Sequence, residues 1–289
     1  SKGLNPGIDF TGGRSYVVRF DEPVSTTGIA SMLGEEFGEN PVVVVFGHED
    51  QVKITTKYKI DEADAEEEVE TLLYQGLKPL LPDDVDKDQF LAEYRQSSQN
   101  VYPTIAFDIM IKAIYAIGFS LIIIFLYILL RFRNWQFGLG ALAALVHDTL
   151  IVLGLFSIFY GVLPFSLEID QAFIAAILTV VGYSINDTVV VFDRIREYLG
   201  IYRKRERTEI LNLALNSTIS RTFSTSLSTF VVLLSIFIFG GEVIRGFTFA
   251  LLVGVVVGTY SSLFVATPVV FDTIKRGETE RVLKGKKSK

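Results

Sequence analysis

The sequence predicts a polytopic α-helical membrane protein with an N-terminal α+β ferredoxin-like domain. Three observations carry that expectation. Five segments reach the roughly 20 apolar residues needed to cross a bilayer. Basic residues are dense in alternate connectors between those segments and sparse in the others. Composition also changes abruptly near Pro103: residues 1–103 hold 9 Lys and Arg against 20 Asp and Glu, a net −11, and residues 104–289 hold 18 against 13, a net +5. The overall charge of −6 therefore describes neither part. The expected division is an extracytoplasmic domain over 1–103, a five-helix transmembrane domain over 104–272 and a basic cytoplasmic tail over 273–289.

In the first domain, Arg14–Phe20, Pro41–Gly47 and Gln51–Lys57 are rich in β-branched and aromatic residues, and His48-Glu49-Asp50 is the expected turn between the last two. A helix is expected over Ser25–Phe37. A second, acidic one is expected over Glu62–Leu80, with Val69, Leu72, Leu73 and Leu77 on one face. A final strand is expected near Gln89–Gln96. The resulting β-α-β-β-α-β order is that of a ferredoxin-like module. The acidic run Asp61–Glu70 reads as a solvated helix face, and His48 as a lone turn histidine. With no cysteine, the domain has no disulfide framework and must rely on its own core.

The five spans run about Ile105–Leu130, Phe137–Tyr160, Ile169–Phe192, Thr222–Phe239 and Phe247–Phe271. Arg131 and Arg133 follow the first. Arg194, Arg196, Arg203, Lys204, Arg205 and Arg207 follow the third. Lys275, Arg276, Arg281, Lys284, Lys286, Lys287 and Lys289 follow the fifth. The connectors Gly161–Glu168 and Gly240–Gly246 hold only Arg245 between them. The positive-inside rule then places the C-terminus in the cytoplasm and, with an odd number of spans, the acidic domain on the far side. Ser1–Gly7 lacks the apolar core of a signal peptide, so a preceding helix is expected to have carried the domain across.

Polar residues inside the apolar runs are the candidate chemistry. Asn186 and Asp187 sit side by side in the third span, which stops in the cluster Asp193-Arg194-Ile195-Arg196-Glu197. A carboxylate at that depth costs a few kcal/mol or more and usually marks an ion or proton path. His147 and Asp148 lie in the second span, His147 roughly 15 Å along from Phe137 at 1.5 Å per residue. They read either as an interhelical hydrogen-bonded brace or as a relay. Ser217, Thr218, Arg221, Ser224, Thr225 and Ser228 fall at helical spacing, which puts an arginine and a column of hydroxyls on one face. Arg221 stays charged, whereas Asp187 can exchange a proton. The pair is thus the minimum for a proton switch, and a static ion pair is the alternative. Gly246, Ala250, Gly254, Gly258 and Ser262 recur every fourth residue, a small-residue ridge that admits a close neighbouring helix.

Several of these stretches together carry a resemblance. Gly7-Ile-Asp-Phe-Thr-Gly-Gly13, Val146-His-Asp148, Gly182-Tyr-Ser-Ile-Asn-Asp-Thr188, Asp193–Glu197, Arg221-Thr222 and Phe239-Gly-Gly241 resemble, in order and over nearly the whole chain, the SecD/SecF family of protein-export membrane proteins. The resemblance implies a resistance-nodulation-division-type bundle in the bacterial cytoplasmic membrane and a role as a proton-driven accessory of the Sec translocon. It implies Asp187 and Arg221 as the coupling residues beside Asn186. The implied partners are SecD, the SecYEG translocon and the preprotein that the SecA ATPase delivers, together with YajC, YidC and membrane lipid. It also implies a further span before Gly7, from a trimmed chain or a SecD–SecF fusion.

The alternatives are a structural subunit that stabilises the translocon without coupling protons, and an exporter of lipids or small molecules. The last usually has larger extracytoplasmic domains than the roughly hundred residues available here. No nucleophile–base constellation, metal cluster or phosphate loop points to an enzyme, a cofactor or a nucleic-acid partner.

Overall fold

The computed structural model describes residues 3–273 except Ala63, Pro164 and Arg203. The basic tail expected over 273–289 therefore lies almost wholly outside the described residues, as does Arg203. The described residues divide into two compact units, one lying within 1–114 and 157–171 and the other within 115–156 and from 172 onward.

The first unit is built on a four-stranded antiparallel sheet in the order β2-β3-β1-β4, from β1 (Gly13–Arg19), β2 (Val42–Phe46), β3 (His48–Thr56) and β4 (Arg95–Val101). A single turn, α1 (Ile8–Thr11), precedes β1. The helices α2 (Thr26–Phe37) and α3 (Glu66–Leu77) complete the β-α-β-β-α-β order. Ser25 accepts from the Gly28 N–H and so starts α2, and Gly38 ends it in the left-handed conformation. Ile29, Leu33 and Phe37 of α2 and Val69, Leu73 and Leu77 of α3 bury against Tyr16, Val18, Val52 and Ile54 of the sheet. Leu72 packs only at the margin of that core. The first-turn acids Glu66, Glu67 and Glu68 face water, and Glu68 pairs with Lys59 at 2.7 Å.

Two expectations for this unit need correcting. The turn between β2 and β3 is Gly47, at φ +90°, and His48–Asp50 already belong to β3. The left-handed φ lets one glycine reverse the chain where three polar residues were expected. The last strand also begins six residues later than Gln89. Asp86 and Gln89 form a reciprocal capping box that commits α4 (Lys87–Gln89) to a helical turn, a π turn follows over Phe90–Tyr94, and only then does β4 run.

Among the described residues, five helices are long and apolar enough to cross a membrane: α5 (Pro103–Phe132), α6 (Trp135–Phe159), α7 (Gln171–Ile201), α8 (Arg207–Phe239) and the run Glu242–Thr273. The last comprises α9 (Glu242–Ser261), a π turn over Ser262–Ala266 and α10 (Thr267–Thr273). In the second unit, Phe132, Phe137 and Phe192 stack within 5.0 to 5.8 Å of one another at the heart of an apolar cluster from α5, α6, α7, α8 and the Leu263–Val270 stretch.

The helix limits differ from expectation at three places. Ile169 lies outside α7, which starts at Gln171 and continues through Asp193–Glu197 to Ile201. The charges do not stop the helix because they neutralise one another on its surface: Asp193 takes Arg196 at 3.0 Å and Arg131 of α5 at 2.8 Å, and Arg194 takes Glu197 at 2.9 Å. The fourth helix begins at Arg207, fifteen residues before Thr222, and within the added stretch Ser217 and Thr218 satisfy their hydroxyls on the Ala214 and Leu215 carbonyls of the same helix. The fifth run is broken by the π turn.

Candidate functional site

The small-residue ridge of α9 sets the geometry. A Cβ on Gly254 would stand 2.0 Å from Val180 Cγ2, and one on Gly258 would stand 3.0 Å from Ser184 Cβ. Ala250 and Ser262 are fully buried, and Gly246 is half-buried. The close neighbour of the ridge is thus α7, the helix that carries Asp187. This approach brings Ser261 of α9 to the carboxylate of α6, and Thr259 of α9 to the serine of α8 that bonds the carboxylate of α7.

Asp148 is fully buried on α6. Its Oδ2 accepts from Ser184 Oγ of α7 at 2.6 Å and from Ser261 Oγ of α9 at 2.8 Å, and its Oδ1 lies 3.1 Å from His147 Nδ1. His147 is half-buried beside the Tyr260 ring. Asp148 therefore ties three helices together through a carboxylate whose two oxygens both have partners, as a buried acceptor requires.

Asp187, 3% exposed, is three residues beyond Ser184 on α7. Ser226 Oγ of α8 donates to its Oδ2 at 3.3 Å, and Ser226 in turn accepts from Thr259 Oγ1 of α9 at 2.6 Å and lies 3.4 Å from the Tyr183 hydroxyl. Asp148 and Asp187 thus each sit in a hydroxyl cluster, Ser184 and Ser261 about the first and Ser226 with Thr259 about the second, among otherwise apolar helix surfaces. A hydroxyl both donates and accepts, so either cluster can serve its carboxylate in the ionised or the protonated form.

The other expected residues fall differently. Asn186 is exposed on α7. Arg221 is exposed on α8 and forms no ion pair with Asp187 among the described residues. Of the expected hydroxyl column, only Thr218 is buried. Ser217, Ser224, Thr225 and Ser228 face outward, and the buried face of α8 is Ala214, Thr218, Thr222 and Ser226. The packed face lies one position along the helix from the Ser217–Arg221–Thr225 row of the expected column. Ser184, Ser226, Thr259 and Ser261 are the contacts that sequence reasoning missed. Their signal lies in the sequence: Ser184 is three residues from Asp187, Ser226 two from Ser224 and from Ser228, and Thr259 and Ser261 adjoin Gly258 and Ser262 of the ridge.

With this geometry in hand, comparison with known proteins is informative. The family model for protein export membrane protein SecD/SecF, C-terminal, matches residues 85–276, and that for the SecD/SecF GG motif matches residues 1–24. The chain is 46% identical over 284 residues to the protein translocase subunit SecF of Rhodothermus marinus, covering 98% of this chain and 88% of that one. It is 38% identical over 278 residues to that of Haemophilus influenzae, covering 96% and 79%. The crystal structure of SecDF, a translocon-associated membrane protein from Thermus thermophilus, superposes with a TM-score of 0.78 at 34% identity, covering 94% of this chain and 34% of that one. A super-membrane-facing form of SecDF gives a TM-score of 0.57 at 31% identity, covering 98% and 36%. The chain spans about a third of the length of these SecDF structures. It is a multi-pass membrane protein, and it belongs to the SecF family of protein translocase subunits within the SecD/SecF protein-export membrane proteins.

Proposed function

We propose that this chain couples the proton-motive force to the late steps of preprotein export, working with SecD beside the SecYEG translocon, with YajC and YidC as further partners. The proposed placement puts residues 1–103 outside the cytoplasm, 104–272 in the cytoplasmic membrane and the basic 273–289 inside, as the charge of the connectors suggests. The observation that carries the reading is the buried Asp187 in a membrane-length helix, bonded to a hydroxyl rather than to a fixed cation. A carboxylate in permanent ion pairing is locked ionised, whereas one held by Ser226 can be stabilised in either protonation state, since the serine can donate or accept. The exposed Arg221 is then a charge that conformational change brings toward Asp187 or removes from it.

The driving force is sufficient, because one charge crossing about 100 mV releases roughly 2.3 kcal/mol and a few protons would bias a domain motion. The role proposed is energy coupling without covalent catalysis. In vesicles holding this chain with its SecD and SecYEG, Asp187→Asn is expected to abolish the gain in export that a proton gradient brings, at an unchanged membrane level of the protein. Export by that variant with the full gradient-dependent gain would remove the basis for the reading.

A further inference from the structure

Thr222 is 1% exposed on the buried face of α8, one turn from Ser226, and its hydroxyl has no hydrogen-bond partner among the described residues. Its neighbours on the same helix behave otherwise. Thr218 donates to Leu215 O at 2.8 Å, Ser224 to Ser220 O at 2.8 Å, Thr225 to Arg221 O at 3.0 Å and Ser228 to Ser224 O at 2.8 Å. A hydroxyl inside a helix ordinarily takes such a carbonyl. One buried without a partner lowers stability, which a methyl group of the same shape would not. Packing alone would therefore favour valine at this position.

Its place beside Asp187 gives the hydroxyl a use. Ser226, four residues on, donates to Asp187 Oδ2 at 3.3 Å. Four residues of α-helix rise about 6 Å, close to two hydrogen bonds laid end to end, so a single water can reach both hydroxyls. Thr222 lies on the side of Ser226 toward the α7–α8 connector, which the proposed placement assigns to the cytoplasm. In that direction the buried face of α8 presents Thr222, Thr218, Ala214 and Ile210. Thr218 is committed to its own helix, and Ala214 and Ile210 join the apolar cluster with Val191 and Leu263. Among the described residues, Thr222 is thus the one uncommitted hydroxyl of this face between Ser226 and the connector. All of these residues belong to one compact unit.

We propose that Thr222 is a positioning residue that holds a water beside Ser226, and that the Asp187 proton leaves through this water toward the α7–α8 connector. This rests on the proton-coupling reading and names the release side of that site. Protonated Asp187 gives its proton to the Ser226 oxygen while Ser226 gives its own to the water, and the water hands one onward. Asp187 ends ionised, and serine, water and threonine end with the protons they began with.

Thr222→Val keeps the shape of the side chain and removes only the hydroxyl, whereas Thr222→Ser keeps the hydroxyl. In the vesicles described above, Thr222→Val is expected to cut the gradient-dependent part of export about tenfold or more, with gradient-independent export and membrane level unchanged. Thr222→Ser should stay within about twofold of wild type. In detergent, Thr222→Val should melt at or above the wild-type temperature, because it removes a buried hydroxyl that binds nothing in the protein. Full gradient dependence in Thr222→Val, or a Thr222→Ser as defective as the valine, overturns the proposal. So does a Thr222→Val that melts below wild type, or one that loses gradient-independent export as well, since either makes the hydroxyl structural. Asp187→Asn run alongside separates the two readings. If it exports normally, the coupling reading falls and takes the role of Thr222 with it; if it is dead and Thr222→Val is not, only the role of Thr222 falls.

Discussion

Ser184 of α7 donates its hydroxyl to Asp148 of α6 at 2.6 Å, three residues before Asp187 on the same helix. One turn of α7 therefore serves two buried carboxylates: Asp148 of α6, which also binds α9, and its own Asp187, which binds α8. Any rotation of α7 that changes the surroundings of Asp187 also strains the Ser184–Asp148 bond.

Asp148→Ala should lower stability more than Asp148→Asn. Removing the carboxylate leaves Ser184 without its acceptor in a dry interior, at about 1–3 kcal/mol for the donor left unpaired, whereas Ser261 can fall back on the Gly258 carbonyl at 3.2 Å. Asparagine retains an accepting oxygen. Thermal unfolding of the purified protein in detergent measures the difference, and equal midpoints for Asp148→Ala and wild type would show that these bonds do not brace the bundle. If Asp148→Asn melts normally but loses gradient-dependent export, the residue is a relay as well as a brace.

Arg221→Ala should leave the melting temperature nearly unchanged, because the side chain is exposed and exposed substitutions usually shift stability by less than about 0.5 kcal/mol. Gradient-dependent export should nonetheless fall strongly. A large loss of stability with normal coupling in the survivors would make Arg221 a structural residue.

Gly254→Ala should destabilise by about 1–3 kcal/mol, since its Cβ would overlap Val180 Cγ2. Val180→Ala in the same chain removes the clashing methyls, and the double variant should recover part of the loss. Additive losses in the double-mutant cycle would rule out this contact as the cause.

Alkaline pH should weaken the N-terminal domain through Tyr16. Burial pushes its hydroxyl up to about 12 from the ordinary 10, against the pull of the neighbouring Arg14 guanidinium. The folded state therefore holds this proton when the unfolded chain has begun to release it. The associated stability is complete below about pH 10 and is lost as pH rises from 10 through 12, roughly 2–3 kcal/mol for a two-unit displacement. Tyr16→Phe cannot ionise, so the fall in melting temperature across that window should be shallower in the variant. An identical fall would place the alkaline sensitivity elsewhere.

Much of the architecture is determined by local pattern alone. Val69, Leu73 and Leu77 announce a helix face by their spacing, and the length of each apolar run specifies a helix because lipid offers its backbone no other partner. Asp187 is conspicuous for the same reason, as a costly group in the wrong solvent. The partners were decided only by tertiary packing. Both faces of the Asn216–Thr229 segment carry hydroxyls, so periodicity could not tell the Thr218–Thr222–Ser226 face from the Arg221 face. The close approach of Gly254 and Gly258 to α7 selected the first by bringing Thr259 to Ser226. Likewise nothing in the sequence around Asp9 points to Gln171, 162 residues later, whose backbone N–H its carboxylate accepts in the fold. Hydrophobic periodicity is a property of a segment, whereas a hydrogen bond between distant segments exists only once the fold has brought them together.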